Sequence, residues 1–295
     1  MGATVTLVRR DLLKELAESS GLSGNVKGSI DIVGDIAILR TPIWIEPVPK
    51  ESLEKIAVKL MDRLPYVKSV WLAASPVSKE ERVRELVYLA GEKRTTTIYR
   101  EHGVSFFIDV AKVYISPRLS YEHLRIAKLV KPGEVVTNFF SGIGGFSLVI
   151  AKNSEVKLVN SIDINKYAVE MQRESIKMNK LDNKVRVYLG DARTISDFFL
   201  KESSNRVLLP LPGIDESFYK AALSTIKGDA GWLHVYEFVP ESPEFSEGVE
   251  GKFQEIHNIA LKYGWAASLY HVRKVRSVGP RKAQVVMDIR VERYH

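Results

Sequence analysis

The sequence predicts an α/β protein in which a small α+β domain precedes a larger domain built on a Rossmann-like, mostly parallel, seven-stranded sheet. Two observations lead to this prediction. Before about residue 108, runs of alternating apolar and polar residues flank an amphipathic helix, as in antiparallel strands packed on a helix. After that point, apolar runs alternate strictly with helical patterns, which is typical of a doubly wound sheet. We therefore expect domains at 1–108 and 109–295.

The first half contains predicted hairpins and one predicted helix. Residues 28–40 and 95–112 alternate apolar and polar side chains with the period of two that a half-buried strand requires. Within 49–64, Leu53 and Ile56 belong to an apolar set at helical spacing. Because these strands do not alternate strictly with helices, they indicate an antiparallel α+β domain.

The second half contains five predicted strand–helix units and a final hairpin. The five strands and the helices that follow them are, in order, 133–140 and 145–153, 156–164 and 166–180, 184–191 and 195–203, 206–212 and 216–228, 232–239 and 252–264. Two further strands are predicted within 266–294, around the turn at Gly279 and Pro280. This order resembles the class I S-adenosylmethionine methyltransferase fold, whose last strand runs antiparallel to the others.

Composition excludes several classes of protein. The chain has 295 residues, of which 45% are hydrophobic, and no cysteine, so disulfides and cysteine-ligated metals are excluded. The six histidines show no zinc-binding spacing, and we expect no metal. No apolar run is long enough for a membrane span, and the N-terminus lacks the pattern of a signal peptide. We therefore expect a cytoplasmic protein, and a monomer.

The charge distribution indicates a polyanionic partner. The net charge is +7, which fits either an ordinary basic surface or a partner rich in phosphate. Residues 266–295 carry seven Lys and Arg against two acidic residues. From this segment we take four candidate RNA-binding residues, which are Arg273, Lys274, Arg276 and Arg281.

A glycine-rich turn follows the first strand of the second half. Gly142 and Gly144 allow the backbone to turn tightly and a ligand to approach it closely. Ser147 occupies the third position of the dinucleotide-binding pattern, so a nicotinamide cofactor is disfavoured, and no phosphate-binding P-loop is present. Phe140, just before the turn, is a candidate apolar wall of a pocket or a core residue.

Two aspartates follow the next two strands at the same predicted edge of the sheet. Asp163 lies 21 residues after Gly142, where a carboxylate accepts hydrogen bonds from ribose hydroxyls. Asp191, followed by Ala192, is either an adenine contact or a helix cap. Together with the glycine turn these residues predict a pocket for S-adenosylmethionine, with Ile164 as a second candidate wall.

Two stretches near the predicted domain junction carry a more specific resemblance. Residues 79–103 and 109–126, together with the motifs NFFSGIGGFS, SIDIN, MNKL and GDAR, resemble the archaeal and eukaryotic tRNA (guanine-37-N1)-methyltransferases and the related wybutosine-pathway enzymes. The resemblance runs from about residue 28 to the C-terminus. It implies S-adenosylmethionine as the cofactor and the anticodon stem-loop of tRNA as the partner.

The same resemblance implies roles for individual residues. Glu122 matches the general base and Arg82 the arginine that faces O6 of guanine, while Arg84 joins the candidate substrate contacts. Tyr114 and Arg118 match a strip beside the cofactor, and Arg118 is also a candidate substrate contact. The residues alone favour other roles, in which Glu122 is a carboxylate at a helix N-terminus and Arg82 pairs with a neighbouring glutamate.

One departure from the family pattern lies after the fourth strand. The family has Asn-Pro-Pro or Asn-Leu-Pro there, and this chain has Pro210, Leu211 and Pro212, so an amide that can contact the base is replaced. We keep these three residues as candidate substrate contacts, with Pro210 also beside the cofactor. Three alternatives stay open: methylation of a tricyclic wyosine precursor, aminocarboxypropyl transfer, and tRNA binding without catalysis.

Overall fold

The computed structural model describes residues 12–20, 28–40, 48–74, 85–241, 243–279 and 281–294. The chain divides into two compact units, Met1–Arg118 and Leu119–His295. The break falls at a 3₁₀ turn, Pro117–Leu119, about ten residues after the boundary predicted at 108. The segment between these two points contains the end of β6, a turn at 110–112 and irregular backbone at 114–116.

The described residues of the first unit form two helices and six strands. Their bounds are α1 Leu12–Ser19, β1 Ser29–Val33, β2 Ile36–Arg40, α2 Lys50–Arg63, β3 Ser69–Ala73, β4 Leu86–Gly91, β5 Thr96–Glu101 and β6 Val104–Asp109. The first four strands form one sheet in the order β1-β2-β3-β4, and β5 and β6 form a separate hairpin.

The prediction of an antiparallel first unit is wrong for one strand pair. Strands β1 and β2, β3 and β4, and β5 and β6 are antiparallel, but β2 and β3 are parallel. The connection between β2 and β3 contains helix α2, and a helical crossover is how two neighbouring strands come to run in the same direction. The helix prediction is confirmed, since Leu53, Ile56 and Leu60 of α2 are buried on one face.

The second unit is the predicted doubly wound sheet. The strand order of its sheet is β12-β13-β11-β10-β7-β8-β9. Strands β7 to β11 are parallel to one another, and β13 pairs antiparallel with both of its neighbours, β11 and β12. The strands are β7 Val135–Asn138, β8 Leu158–Asp163, β9 Val185–Leu189, β10 Arg206–Leu209, β11 Ala230–Pro240, β12 Trp265–Gly279 and β13 Lys282–Arg293. The helices are α3 Ser120–Leu129, α4 Gly145–Asn153, α5 Lys166–Asn179, α6 Ala192–Phe199, α7 Glu216–Thr225 and α8 Phe245–Lys262.

The order of the strands determines where a ligand can bind. From β7 the chain builds β8 and β9 on one side, and then returns to build β10 and β11 on the other side. Such a reversal opens a crevice at the carboxyl ends of the strands, and ligands of doubly wound sheets bind there. A core of buried aliphatic residues, among them Val207, Leu233 and Val285, fixes the strands that surround this crevice. No helix among the described residues is long and apolar enough to cross a membrane.

Candidate functional site

The glycine-rich turn has a backbone that few side chains tolerate. Phe140, Gly142 and Gly144 have φ angles of 53°, 56° and 82°, in the left-handed region. A methyl group added at Gly142 would meet no heavy atom within 4 Å, whereas one added at Gly144 would meet Leu148 and Gln172. Space is therefore open beside Gly142, while Gly144 is a glycine because the chain packs tightly there.

Asp163 lies at the end of β8 and turns its carboxylate toward the glycine turn. The Gly142 N–H donates to Oδ2 at 2.6 Å, and the Asn165 N–H donates to Oδ1 at 2.9 Å. Burial raises the pKa of Asp163, and these N–H donors oppose that rise. Because a carboxylate has about four acceptor positions, each oxygen can still accept a hydroxyl. These remaining acceptor positions fit the ribose hydroxyls of S-adenosylmethionine.

Two apolar candidates lie beside this carboxylate. The side chain of Ile164 is 65% exposed, so it is not a core residue. The ring of Phe140 packs edge-on against Phe218, with 4.9 Å between ring centroids, and is only partly buried. Both residues therefore present apolar surface at the carboxyl edge of the sheet. Phe218 carries no motif that would have singled it out in the sequence.

Asp191 caps helix α6. Its Oδ1 accepts from the Arg193 N–H at 2.8 Å, and its carboxylate also pairs with the Arg193 guanidinium at 2.6 Å. The hydrogen bond from Arg193 holds the pKa of Asp191 below its usual value. Arg193 stacks over Phe218, 4.4 Å from the ring centroid, and so connects Asp191 with the wall near Phe140. Because of this cap, α6 begins at Ala192, three residues before the start predicted at 195.

The Pro210–Gly213 loop follows β10 and is held by a buried glutamate. Glu237 is 3% exposed, and its two carboxylate oxygens accept the Gly213 N–H at 3.0 and 3.2 Å. The Tyr219 hydroxyl donates to the same carboxylate at 3.2 Å. Burial raises the pKa of Glu237. Sequence reasoning missed Glu237, although a charged residue within the apolar strand β11 was a signal.

Glu122 lies in the first turn of α3 and is almost wholly buried, with 1% of its surface exposed. Its Oε2 accepts from Arg125 Nε at 2.9 Å and from the Tyr236 hydroxyl at 3.1 Å. Its Oε1 accepts from the Arg273 guanidinium. The carboxylate is therefore part of a buried ionic cluster. A carboxylate that only stabilises a helix N-terminus would not need this burial or these partners.

The cluster continues through the sheet as a chain of polar contacts. Arg125 donates to both Asp288 oxygens, at 2.6 and 3.2 Å, and Asp288 lies 2.5 Å from His234 Nδ1. His234 Nε2 lies 2.7 Å from an Arg206 nitrogen that can only donate, so Nδ1 of His234 carries the proton toward Asp288. Burial lowers the pKa of His234 to about 4, which agrees with a neutral ring.

The predicted basic residues of β12 do not form one cluster. Arg273 pairs with Glu122, Lys274 pairs with Glu241, and Arg276 donates from Nε to Gln284 at 2.8 Å. The remaining candidate of this segment, Arg281, has a φ of 56° and sits in the turn before β13.

The remaining candidates belong to the first unit. Arg118 pairs with Asp31 at 3.2 Å, and Tyr114 is partly buried in the turns after β6. Arg82 and Arg84 lie outside the described residues. The described residues contain no group of three or more His, Asp or Glu side chains that could hold a metal ion. The second unit thus brings the glycine turn, Asp163, Phe140 and Ile164 together, while Asp191 joins them through Arg193 and the two phenylalanines.

The model of the TRM5/TYW2 methyltransferase domain matches residues 97–262, which is more than half of the chain. This chain belongs to the TRM5/TYW2 methyltransferase family. The resemblance drawn from the motifs is thereby confirmed.

Relatives within the family differ in the reaction that their names state. The tRNA (guanine(37)-N(1))-methyltransferase Trm5b of Pyrococcus abyssi is 37% identical over 263 residues, which cover 89% of this chain and 74% of that protein. The tRNA 4-demethylwyosine(37)-methyltransferase Taw21 of Saccharolobus solfataricus is 38% identical over 262 residues, covering 88% and 93%. An aminocarboxypropyltransferase for 4-demethylwyosine 37 of tRNA(Phe), from Methanocaldococcus jannaschii, is 30% identical over 261 residues, covering 88% and 97%. The family is therefore one of tRNA-modifying enzymes.

Solved structures share the fold. The complex of aTrm5 with tRNALeu aligns with a TM-score of 0.76 and 32% identity, over 94% of this chain and 74% of that chain. TYW2 of M. jannaschii in complex with AdoMet (S-adenosylmethionine) aligns with a TM-score of 0.69 and 28% identity, over 90% and 100%. These findings confirm the predicted class I methyltransferase fold, and the family uses S-adenosylmethionine as its cofactor.

Proposed function

We propose that this chain transfers the methyl group of S-adenosylmethionine to N1 of guanosine 37 in tRNA. The observation that carries this proposal is the buried carboxylate of Glu122, at the position where the family pattern has the general base. The similarity to Trm5b of P. abyssi supports the same reaction. A base is needed because guanine N1 holds a proton at neutral pH, and an attacking nitrogen must lose that proton.

The cofactor side of the site is assigned to the glycine turn and the residues around it. When bound, S-adenosylmethionine supplies an electrophilic methyl carbon, whose bond to sulfur breaks, with its electron pair left on sulfur, as the bond to N1 forms. Asp163 accepts hydrogen bonds from the ribose hydroxyls, and the open space beside Gly142 lets the cofactor approach the backbone. The residues assigned to the rest of the cofactor surface are Phe140, Gly144, Ile164, Asp191, Ala192, Pro210, Tyr114 and Arg118.

On the acceptor side, Glu122 takes the N1 proton as N1 attacks the methyl carbon. Arg82 stabilises the charge that develops on O6 as the N1–H bond breaks. The target guanosine must leave its stack to reach these groups, as in other enzymes that modify a base. The tRNA contacts are assigned to Arg84, Arg118, Pro210, Leu211, Pro212, Arg273, Lys274, Arg276 and Arg281. The anticodon stem-loop is the part of tRNA that carries position 37.

Replacing Glu122 by Gln tests the base. We expect Glu122→Gln to slow single-turnover methyl transfer to tRNA with G37 by about 10²–10⁴-fold, because a positioned base contributes about that much. S-adenosylmethionine affinity, measured by calorimetry, should stay unchanged and so report an intact fold. Glu174→Gln, on the exposed face of α5, is the matched control and should react at the wild-type rate. Transfer by Glu122→Gln at the wild-type rate would exclude Glu122 as the base.

Methyl transfer to 4-demethylwyosine 37 is the second candidate. Two points favour it. The similarity to Taw21 extends over 93% of that protein, and Pro210 stands where the resemblance to the family implies an asparagine. Without the asparagine amide, the loop after β10 offers the base an apolar surface in place of a hydrogen bond. A tRNA that carries 4-demethylwyosine at position 37 distinguishes the two candidates when it is compared with unmodified G37 tRNA.

A further inference from the structure

Both carboxylate oxygens of Glu122 are already engaged in the structure. Arg273 and Arg125 each bring a guanidinium to the carboxylate, and the Tyr236 hydroxyl donates to Oε2 at 3.1 Å. A carboxylate between two cations holds an added proton weakly. A general base works best when its proton affinity suits the working pH. The ion pair with Arg273 thus opposes transfer of the N1 proton to Glu122.

The two arginines are held very differently. Arg125 is fixed, because it donates to both Asp288 oxygens, at 2.6 and 3.2 Å, and its side chain is only 13% exposed. The side chain of Arg273 is 33% exposed. It stacks over the ring of Tyr121, 4.1 Å from the centroid, and this tyrosine is itself 63% exposed. Arg273 is therefore the cation that can leave Glu122.

We propose that Arg273 is a positioning residue that keeps Glu122 in an ion pair until tRNA binds, and that a phosphate of the RNA then draws the Arg273 guanidinium away. This inference rests on the proposed role of Glu122 as the general base. A guanidinium binds phosphate with two parallel hydrogen bonds, so the exchange replaces one anionic partner by another. The base becomes competent only when the substrate is present.

The other groups around Glu122 do not take part in this exchange. Among the described residues of the second unit, α3 contributes Arg125 and His123, β11 contributes Tyr236, and α4 packs the apolar ring of Phe146 against His123 and Tyr236. Strand β13 contributes Asp288, whose carboxylate pairs with Arg125 and accepts a hydrogen bond from the neutral His234. Loss of Arg273 thus leaves Arg125 as the cation paired with Glu122.

Single-turnover pH profiles of the whole chain with G37 tRNA test this inference. The saturated rate, kchem, reports ionisations in the complex, and kchem/Kd reports those of the free enzyme. In the wild type we expect the acidic limb of kchem/Kd to lie about one pH unit or more below that of kchem, because Arg273 stabilises the Glu122 carboxylate only in the free enzyme. In Arg273→Gln the two limbs should coincide, with the kchem limb unmoved.

The salt dependence of tRNA binding tests the phosphate contact separately. Arg273→Gln should reduce the slope of log affinity against log salt by about 0.7–0.9, the value of one phosphate contact. The matched control is Arg293→Gln, which also removes a guanidinium that pairs with a carboxylate, Glu202, and stacks over an aromatic ring, Trp265. It should leave both the pH limbs and the slope unchanged.

The failure of this inference differs from the failure of the proposed function. If Glu122→Gln is inactive while Arg273→Gln keeps the wild-type pH limbs or the wild-type salt slope, the role of Arg273 is overturned and the base assignment stands. If Glu122→Gln reacts at the wild-type rate, the base assignment falls, and the role of Arg273 falls with it.

Discussion

At the scale of single residues, the Asp163 carboxylate holds the glycine turn and keeps acceptor positions for the proposed ligand. It accepts N–H donors from Gly142 and Asn165, which fix its orientation at the end of β8. The spacing from the glycine turn was enough to predict this position from the sequence. Nothing in that spacing predicts the burial that raises its pKa, because burial depends on residues far away in the chain.

We expect Asp163→Asn to weaken S-adenosylmethionine binding by at least about tenfold, since hydrogen bonds to a charged group contribute roughly 1.5–3 kcal/mol. In the wild type, binding should weaken as the pH falls toward the raised pKa of Asp163, because a protonated carboxyl loses acceptor capacity. The variant should lack this dependence. Calorimetry between pH 8 and pH 5 measures both effects, with the exposed Asp182→Asn as the control. An unchanged dissociation constant in Asp163→Asn would contradict the ribose assignment.

For other residues the sequence left two roles open, and only tertiary contacts can decide between them. Asp191 was either a helix cap or an adenine contact, and the structure shows the cap without testing the contact. Its pairing with Arg193, and the stacking of Arg193 on Phe218, join residues from α6 and α7. A single sequence carries no signal for such a pairing. The charge of Glu237 within the apolar strand β11 was a signal, but its contact with the Pro210–Gly213 loop depends on tertiary structure.

At the scale of elements, the strand tips of the second unit were predictable and part of the first unit was not. Continuous apolar runs predicted β7 to β11, because parallel strands are buried on both faces. The parallel pairing of β2 and β3 was missed, since alternation reports which face is buried and not the direction of a neighbouring strand. Helix α8 begins at Phe245, seven residues before its predicted start at 252. The prediction missed its first turns because Gly248 and Gly251 interrupt the helical pattern.

Two matched glycines test the glycine turn as an element. Gly142 and Gly133 both have a positive φ, of 56° and 79°, and an added methyl group meets no heavy atom within 4 Å at either position. Replacing either by Ala should cost about 1–2 kcal/mol of stability, from backbone strain alone. Only Gly142→Ala should also weaken S-adenosylmethionine binding, because its methyl group would occupy the space assigned to the cofactor.

Urea unfolding and calorimetry on both variants check this prediction. Gly133 precedes β7, and its N–H donates to the Glu155 carbonyl at 2.9 Å, so it belongs to the opposite end of the strands. Equal cofactor affinity in the two variants would show that the cofactor does not approach the backbone at Gly142.

At the scale of the whole molecule, the second unit contains a chain of buried charged and polar side chains that no motif predicts. It runs from Glu122 on α3 through Arg125, Asp288 and His234 to Arg206 at the start of β10. Buried ions are costly unless each is paired, and here every member has a partner of opposite charge or a matching hydrogen bond. The proposed base, although it lies on helix α3, is thus connected through buried contacts to the central strands of the sheet.

The family, the fold and the class of cofactor could be argued from motifs, because glycine turns and acidic strand tips lie within short stretches of sequence. The identity of the methyl acceptor could not, because relatives of nearly equal identity act on different forms of nucleotide 37. In the proposed function, that choice depends on the acceptor surface assigned to Pro210, Leu211 and Pro212.

The central claim is tested most directly by mapping the product. The protein is incubated with labelled S-adenosylmethionine and three tRNAs that differ only at position 37, which is G, A or 4-demethylwyosine, and the labelled nucleoside is identified by mass spectrometry. We predict 1-methylguanosine from the G37 tRNA and no transfer to the A37 tRNA. Label in the 4-demethylwyosine tRNA alone, or no transfer to any of them by protein that binds the cofactor, would contradict the claim.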